Sequence, residues 1–243
     1  MVETEPIFLP QGIDYLGFLG AKLRDLQGSA TLVYELVQSA DDAPGVTSIV
    51  FDVRDDALEV SNNGVFRDID FKRMQNIAGG GKRDEEDTTG AFGIGFIAIY
   101  QITDRPELFS AGRHWTFRPE EPYERHIVET RVDNVNGTRF LLPWAIDPDT
   151  PLRRELRAAA VRQDEIEQLA DNLTAVLPKA LLFLRKISHI EVRRNGKTLR
   201  SVRRTQEGNR LVLNDGNQSL RWYLFDCAFA EEAAALRAKF GHK

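Results

Sequence analysis

Glu35-Leu-Val-Gln-Ser-Ala-Asp-Asp-Ala43 reads as the last turns of a helix with two unlike sides. Leu32, Val33, Leu36, Ala40 and Ala43 supply an apolar side. Glu35, Ser39 and Asp42 fall at i, i+4 and i+7 and share the other. A stripe of carboxylate, hydroxyl and carboxylate suits a wet, charged pocket. Glu35 could orient or deprotonate a water, while Ser39 and Asp42 could hold solvent or a metal. An amphipathic helix with a solvated face carries the same pattern. Working back, the spacing predicts a helix over 30–43 with Ser29 as its N-cap, stopped by Pro44-Gly45.

Forward from this stretch, strands are expected at 47–54 and 57–62, joined by a turn at Arg54-Asp55-Asp56. The second runs into Asn62-Asn63-Gly64, within Val60-Ser-Asn-Asn-Gly-Val-Phe66. That motif offers a side-chain amide on a tight turn, or is a turn and nothing more. A short helix over 68–77, capped by Asp68, comes next. Residues 79–90 combine glycines with a charged run and predict a mobile loop. Then Gly90-Ala-Phe-Gly-Ile-Gly-Phe96 leads into a helix from about Gly93 to Tyr100. Its backbone N–H groups at a helix start suit a phosphate. The order G-x-x-G-x-G is not the dinucleotide fingerprint, and Gly81-Lys82 lacks the Ser or Thr of a Walker loop. A fourth motif, Asn136-Gly-Thr-Arg-Phe-Leu-Leu142, places Thr138 at the mouth of an apolar strand.

Around these motifs the pattern predicts a helix over 12–26 and strands near 107–118, 125–133 and 137–143. A connector from Pro143 to Pro151 precedes a helix over 163–184, bent at Pro178. Strands at 190–194, 199–204, 210–213 and 220–225 follow, the first two turned by Asn195-Gly196, and then a helix over 229–240. Helices and strands do not strictly alternate, so the fold class is α+β rather than doubly wound.

The chain has 243 residues, 42% of them apolar, enough for a sizeable core. No apolar run approaches a membrane span, and Met1–Pro6 lacks the features of a signal peptide. Cys227 is the only cysteine, which excludes an internal disulfide and a cysteine zinc site. His114, His126, His189 and His242 show no metal-ligand spacing. A cytoplasmic globular protein is expected. The net charge of −5 divides unevenly. Residues 1–150 hold 14 Lys+Arg against 26 Asp+Glu, a balance of −12, and residues 151–243 hold 18 against 11, a balance of +7. An acidic total argues against a general nucleic-acid binder. The basic run Arg193, Arg194, Lys197, Arg200, Arg203 and Arg204 is either a solvated or docked face, or a patch for nucleic acid.

In this order and at these separations, the four motifs resemble the boxes of the GHKL ATPase superfamily. Within it they are most similar to the chaperone branch and to sacsin-like ATP-binding modules. Those carry Glu-Leu-Ile-Gln-Asn-Ala-Asp-Asp-Ala where this chain has Glu35–Ala43, and a Gly-x-Phe-Gly-hydrophobic-Gly-Phe box matched by Gly90–Phe96. The run Tyr100-Gln-Ile-Thr-Asp-Arg-Pro106 is similar to that branch's Tyr-x-Ile-Thr-Asp-x-Pro. The resemblance covers about residues 12–143. It implies a two-layer Bergerat-type sandwich, a mixed sheet with helices on one face, extended by a C-terminal helix and β-hairpins. The implied division is an ATP-binding domain over 1–145 and a helix and basic hairpin extension over 146–243 that relays nucleotide state.

The resemblance also implies roles. Glu35 is the general base. Asn62 accepts from the adenine amino group, with Gly64 and Thr138 beside it. Asp42 and Ala43 border the pocket. Residues 79–90 form a lid with Lys82 as a phosphate contact, and the backbone of Gly93, Ile94, Gly95 and Phe96 holds phosphates. Ser39 stands where the superfamily has a magnesium-binding Asn and is a weaker ligand, and Asn62 stands where it commonly has Asp. The implied ligands are ATP, ADP and Mg²⁺. The implied function is slow hydrolysis, with lid closure driving a conformational or dimerisation switch in a larger chaperone-like protein. The homodimer and the downstream domains of a longer chain are the implied protein partners. A non-hydrolysing nucleotide sensor, or a nucleic-acid-associated module of MutL or gyrase type, is the alternative.

Overall fold

The computed structural model describes residues 14–26, 29–76, 95–133, 136–216 and 218–224. The expected loop at 79–90 and helix at 229–240 lie outside them. Ten strands form one sheet in the order β10-β9-β8-β7-β1-β2-β6-β3-β4-β5. They are β1 (Ser48–Val53), β2 (Ala57–Asn62), β3 (Glu107–Ser110), β4 (Arg113–Phe117), β5 (Ile127–Arg131), β6 (Thr138–Pro143), β7 (His189–Arg194), β8 (Lys197–Glu207), β9 (Arg210–Asp215) and β10 (Gln218–Tyr223). Every pairing is antiparallel except β1 with β7. The sheet is therefore mixed, as the α+β reading requires. It runs without a break across the expected boundary at 145/146.

Five α-helices are described: α1 (Tyr15–Asp25), α2 (Ser29–Asp42), α3 (Asp68–Gln75), α4 (Pro151–Leu156) and α5 (Gln163–Ala180). Strand alternation decides which sheet face they cover. Ile49, Phe51 and Val53 on β1, with Ile190 and Val192 on β7, join Leu32, Val33, Leu36 and Val37 of α2 and Leu169, Leu173 and Leu177 of α5 in one core. The intervening residues, such as Glu59, Ser61, Glu191 and Arg193, lie on the opposite, partly exposed face.

Several local expectations change. The stretch 107–118 is a hairpin, β3–β4, turned at Ala111-Gly112, both with positive φ. The helix after the glycine box is a 3-10 helix, Gly95–Gln101. α2 begins at Ser29 itself. Asp68 is already helical, and the first turn of α3 is closed by Asp70, whose carboxylate accepts from the Arg67 N–H at 2.9 Å. α4 was not expected. Proline at its first position and the Thr150 hydroxyl, which accepts from the Arg153 N–H at 3.1 Å, start it.

Candidate functional site

The stripe read from α2 is present. Glu35, Ser39 and Asp42 are half-buried, while Leu32, Val33, Leu36, Val37, Ala40 and Asp41 are buried. At one end of the stripe, a Cβ on Gly95 would overlap the Glu35 carboxylate, so any other residue there would displace that side chain from its present place. At the other end, the Ala43 methyl and the Pro44 carbonyl lie 3.1 Å and 3.4 Å from where a Cβ on Gly64 would stand. Glu35 and Ala43 are separated by about 12 Å along the helix axis at 1.5 Å per residue.

Asn62, Thr138 and Ser110 sit side by side across three strands. Asn62 pairs with Thr138 in the β2–β6 register, and Thr138 with Ser110 in β6–β3. All three are buried, Thr138 at 1% exposure and Ser110 at 0%. A buried hydroxyl without a partner is costly, and here none lacks one. Thr138 Oγ1 donates to the Gly64 carbonyl at 2.8 Å and lies 2.8 Å from Ser110 Oγ. The Phe66 N–H donates to Ser110 Oγ at 3.0 Å, and the Gly64 N–H donates to Asn62 Oδ1 at 2.9 Å. Gly137, with φ of +86°, lets β6 begin against the Asn62 carbonyl, which any Cβ there would strike. The adjacent Asn63 is structural. Its Oδ1 accepts from the Thr47 and Ser48 N–H groups at 2.9 and 3.0 Å, binding the end of β2 to the start of β1.

The described residues thus bring together Glu35, Ser39 and Asp42 on α2 with Ala43 just past its end, Asn62, Gly64 and Thr138 at the sheet end, and Gly95 beside Glu35. Phe96 packs its ring at a tilt against Phe117 and Phe140, at 5.2 and 5.8 Å between centroids. Lys82, Gly93 and Ile94, and the lid 79–90, lie outside the described residues. Among the described residues no cluster of three His, Cys, Asp or Glu could hold a metal by itself. A magnesium ion at Ser39 would then be held mainly by phosphate oxygens and water, which is how Mg²⁺ usually binds at nucleotide sites. No described helix is long and apolar enough to cross a membrane.

Three residues around the site were not singled out from the sequence. Ser110 is one. Asp41, at 5% exposure, accepts from the Arg185, Lys186 and Ile187 N–H groups at 2.8, 2.9 and 2.7 Å and ties α2 to the chain entering β7. Arg153 on α4, at 1% exposure, donates to Asp104 Oδ1 at 2.5 Å and to the carbonyls of Tyr100, Thr103, Gln101 and Ala159 at 2.7, 2.9, 3.3 and 3.3 Å. A cation thereby sits on the C-terminal carbonyls of the 3-10 helix that follows the glycine box.

Four of the six residues of the basic run pair within the molecule, while Lys197 and Arg203 are exposed. Arg193 pairs with Glu191 at 2.8 Å, and Arg194 with Asp55 at 2.6 Å. Arg200 pairs with Asp215 and donates to the Thr174 carbonyl. Arg204 donates to the carbonyls of Leu181, at 2.9 Å, and Leu184. The guanidinium of Arg204 is held below its usual range by burial.

Residues 50–134 match the sacsin domain family. Human sacsin is 25% identical over 226 aligned residues, which take in 72% of this chain and 5% of that protein. Among solved structures the chain is similar to the ATPase region of Saccharomyces cerevisiae topoisomerase II, with a TM-score of 0.45 and 13% identity over 75% of this chain and 56% of that one. It is also similar to the N-terminal domain of a DNA repair protein, with a TM-score of 0.48 and 18% identity over 75% and 55%.

Proposed function

We propose that this chain, whose residues 50–134 match the sacsin domain family, is a sacsin-like GHKL module that binds ATP along α2 and hydrolyses it slowly. The base would lie at Asn62, Gly64 and Thr138, bordered by Asp42 and Ala43. The phosphates would lie at the 3-10 helix start, with Gly93, Ile94, Gly95 and Phe96, and with Lys82 from the segment 79–90. The observation that carries this reading is the contact of the Glu35 carboxylate with Gly95, in the glycine box at the start of the 3-10 helix, while the chain leaving the same helix meets the Asn62–Gly64 turn at its other end.

Glu35 would take a proton from water attacking the terminal phosphate. Magnesium, when bound, would neutralise phosphate charge, with Ser39 as one of its ligands. Closure of the segment 79–90 over the nucleotide is the proposed switch, acting on a homodimer or on downstream domains of a larger, chaperone-like chain. The chain spans 5% of human sacsin, so the activity of a whole protein of that kind is part of this proposal.

Phosphate release and ATP binding, measured on the unaltered protein and on Glu35→Ala, test the reading. The expected result is retained binding and a rate lowered by about a hundredfold or more, the usual worth of a positioned base. Equal rates would remove Glu35 from the chemistry. Ser39 favours a second reading, a nucleotide sensor that does not turn over. On that reading the unaltered protein binds ATP without releasing phosphate, and Ser39→Asn restores release. The internal pairing of Arg193, Arg194, Arg200 and Arg204 gives a nucleic-acid role little support.

A further inference from the structure

The floor proposed for the base carries a chemical ambiguity. An aspartate offers acceptors only. A carboxamide offers an acceptor at one end and a donor at the other. Adenine presents an amino donor where guanine presents a carbonyl acceptor. A carboxamide free to turn over could therefore pair with either purine.

Asn62 is not free to turn over. The Gly64 N–H, 2.9 Å away, can meet only the oxygen end. Reversal would set the NH₂ group against another donor. That restraint holds only while the Gly64-Val65-Phe66 turn stays in place, and two buried hydroxyls keep it there. Thr138 spends its single hydrogen on the Gly64 carbonyl at 2.8 Å. Ser110, 2.8 Å from Thr138 Oγ1, must then donate to it, because each hydroxyl has one hydrogen. The alternative acceptor for Ser110, the Gly137 carbonyl, is farther at 3.3 Å. Ser110 in turn accepts from the Phe66 N–H at 3.0 Å. The chain Phe66 N–H to Ser110 to Thr138 to Gly64 carbonyl begins and ends on the same turn.

We propose that Ser110, acting through Thr138, is a positioning residue that locks the Asn62 carboxamide in one orientation and so makes the site select adenine over guanine nucleotides. The proposal rests on the reading of Asn62 as the base contact. It locates selectivity in the hydroxyl chain around Asn62 rather than in Asn62 alone.

Calorimetric titration of the full chain with ATP and with GTP tests it, on the unaltered protein, Ser110→Ala, Asn62→Asp and the double variant. The unaltered protein should prefer ATP. Ser110→Ala should lower the ATP-to-GTP affinity ratio by about tenfold, the worth of one well-made hydrogen bond. Asn62→Asp in the Ser110→Ala background should restore the ratio, because a carboxylate has no donor end to present. A ratio unchanged by Ser110→Ala overturns the proposal. So does a double variant that fails to regain selectivity, which would reduce Ser110 to packing. An unaltered protein that takes ATP and GTP equally overturns it while leaving nucleotide binding intact. If neither nucleotide binds, the nucleotide reading itself is lost. Should circular dichroism show Ser110→Ala unfolded, Ser110→Cys, similar in volume and a weak donor, is read in the same way.

Discussion

Asp41 and Asp42 are neighbours in the chain, yet they face different surroundings. Asp42 lies on the half-buried stripe with Glu35 and Ser39. Asp41 lies on the apolar side, four residues after Val37, and would be a stray charge in the core without the three N–H groups of residues 185–187. Successive N–H groups curled around a carboxylate form an anion nest, so the backbone stabilises the charge, and the Arg204 guanidinium adds a favourable Coulomb interaction with it. Lys186 adds a second tie, its ammonium donating to the Asp42 carbonyl at 2.9 Å. Asp41→Ala should leave the Ile187 N–H buried and unpartnered and take the acceptor from the part-buried N–H groups of Arg185 and Lys186. The expected loss is about 3 kcal/mol of stability, from several charge-assisted bonds at once, read as a shifted urea midpoint. A change below about 0.5 kcal/mol, the usual range for surface substitutions, would show that the contact is incidental.

The β7–β8 hairpin shows how a paired element carries its own pH dependence. His189 on β7 lies opposite Arg203 on β8 and reaches Ser201, with its Nε2 2.9 Å from the Ser201 hydroxyl. Partial burial, and then the Arg203 charge, push its pKa below the ordinary 6.5; Glu191 pulls the other way, and Arg193 adds the least of the four. The sign follows from linkage. The folded state holds the imidazole neutral, so the unfolded chain binds the proton first as pH falls. The contribution is whole above pH 6.5 and is lost as pH drops below it toward the folded value. Denaturation midpoints at pH 7.5 and pH 5.5 should therefore show a drop that is smaller in His189→Gln. An equal drop in both proteins would assign the acid sensitivity to other groups. The 3-10 helix illustrates a different dependence. Seven residues is a long run for a 3-10 helix, whose hydrogen bonds are poorly aligned, and Arg153, reaching from α4, closes its carbonyl end.

For the molecule as a whole, the decisive feature is the parallel seam between β1 and β7. It joins a strand read as part of the nucleotide-binding region to one read as part of the extension, with Ile49 beside Ile190 and Phe51 beside Val192. Cutting the chain after residue 145 would strip β1 of that neighbour, remove α5 from its buried face and leave Asp41 without its nest. A fragment of residues 1–145 should accordingly give no cooperative thermal transition. The full chain should unfold in one step, with near- and far-ultraviolet dichroism coincident. A fragment that melts cooperatively near the temperature of the full chain would show that the extension is a separate unit.

Helix and strand periods, turn residues and the chemistry of α2's polar stripe were legible in residue order, because they depend on neighbours within a few positions. So were Glu35, Ser39, Asn62 and Thr138 as candidates, since each sits at a place its own motif marks. Ser110, Asp41 and Arg153 were not assigned. A serine closing a strand, one of two adjacent aspartates and an arginine in a connector look ordinary in a string. The apolar side of α2 did hold a clue, because a carboxylate on a buried face must find a partner. Which N–H groups it meets, 144 to 146 residues away, depends on β7 pairing parallel to β1. That pairing is long-range, and no local pattern encodes it. Local preferences follow from short-range sterics and hydrogen bonding, whereas the buried polar partners follow from how the sheet closes its core.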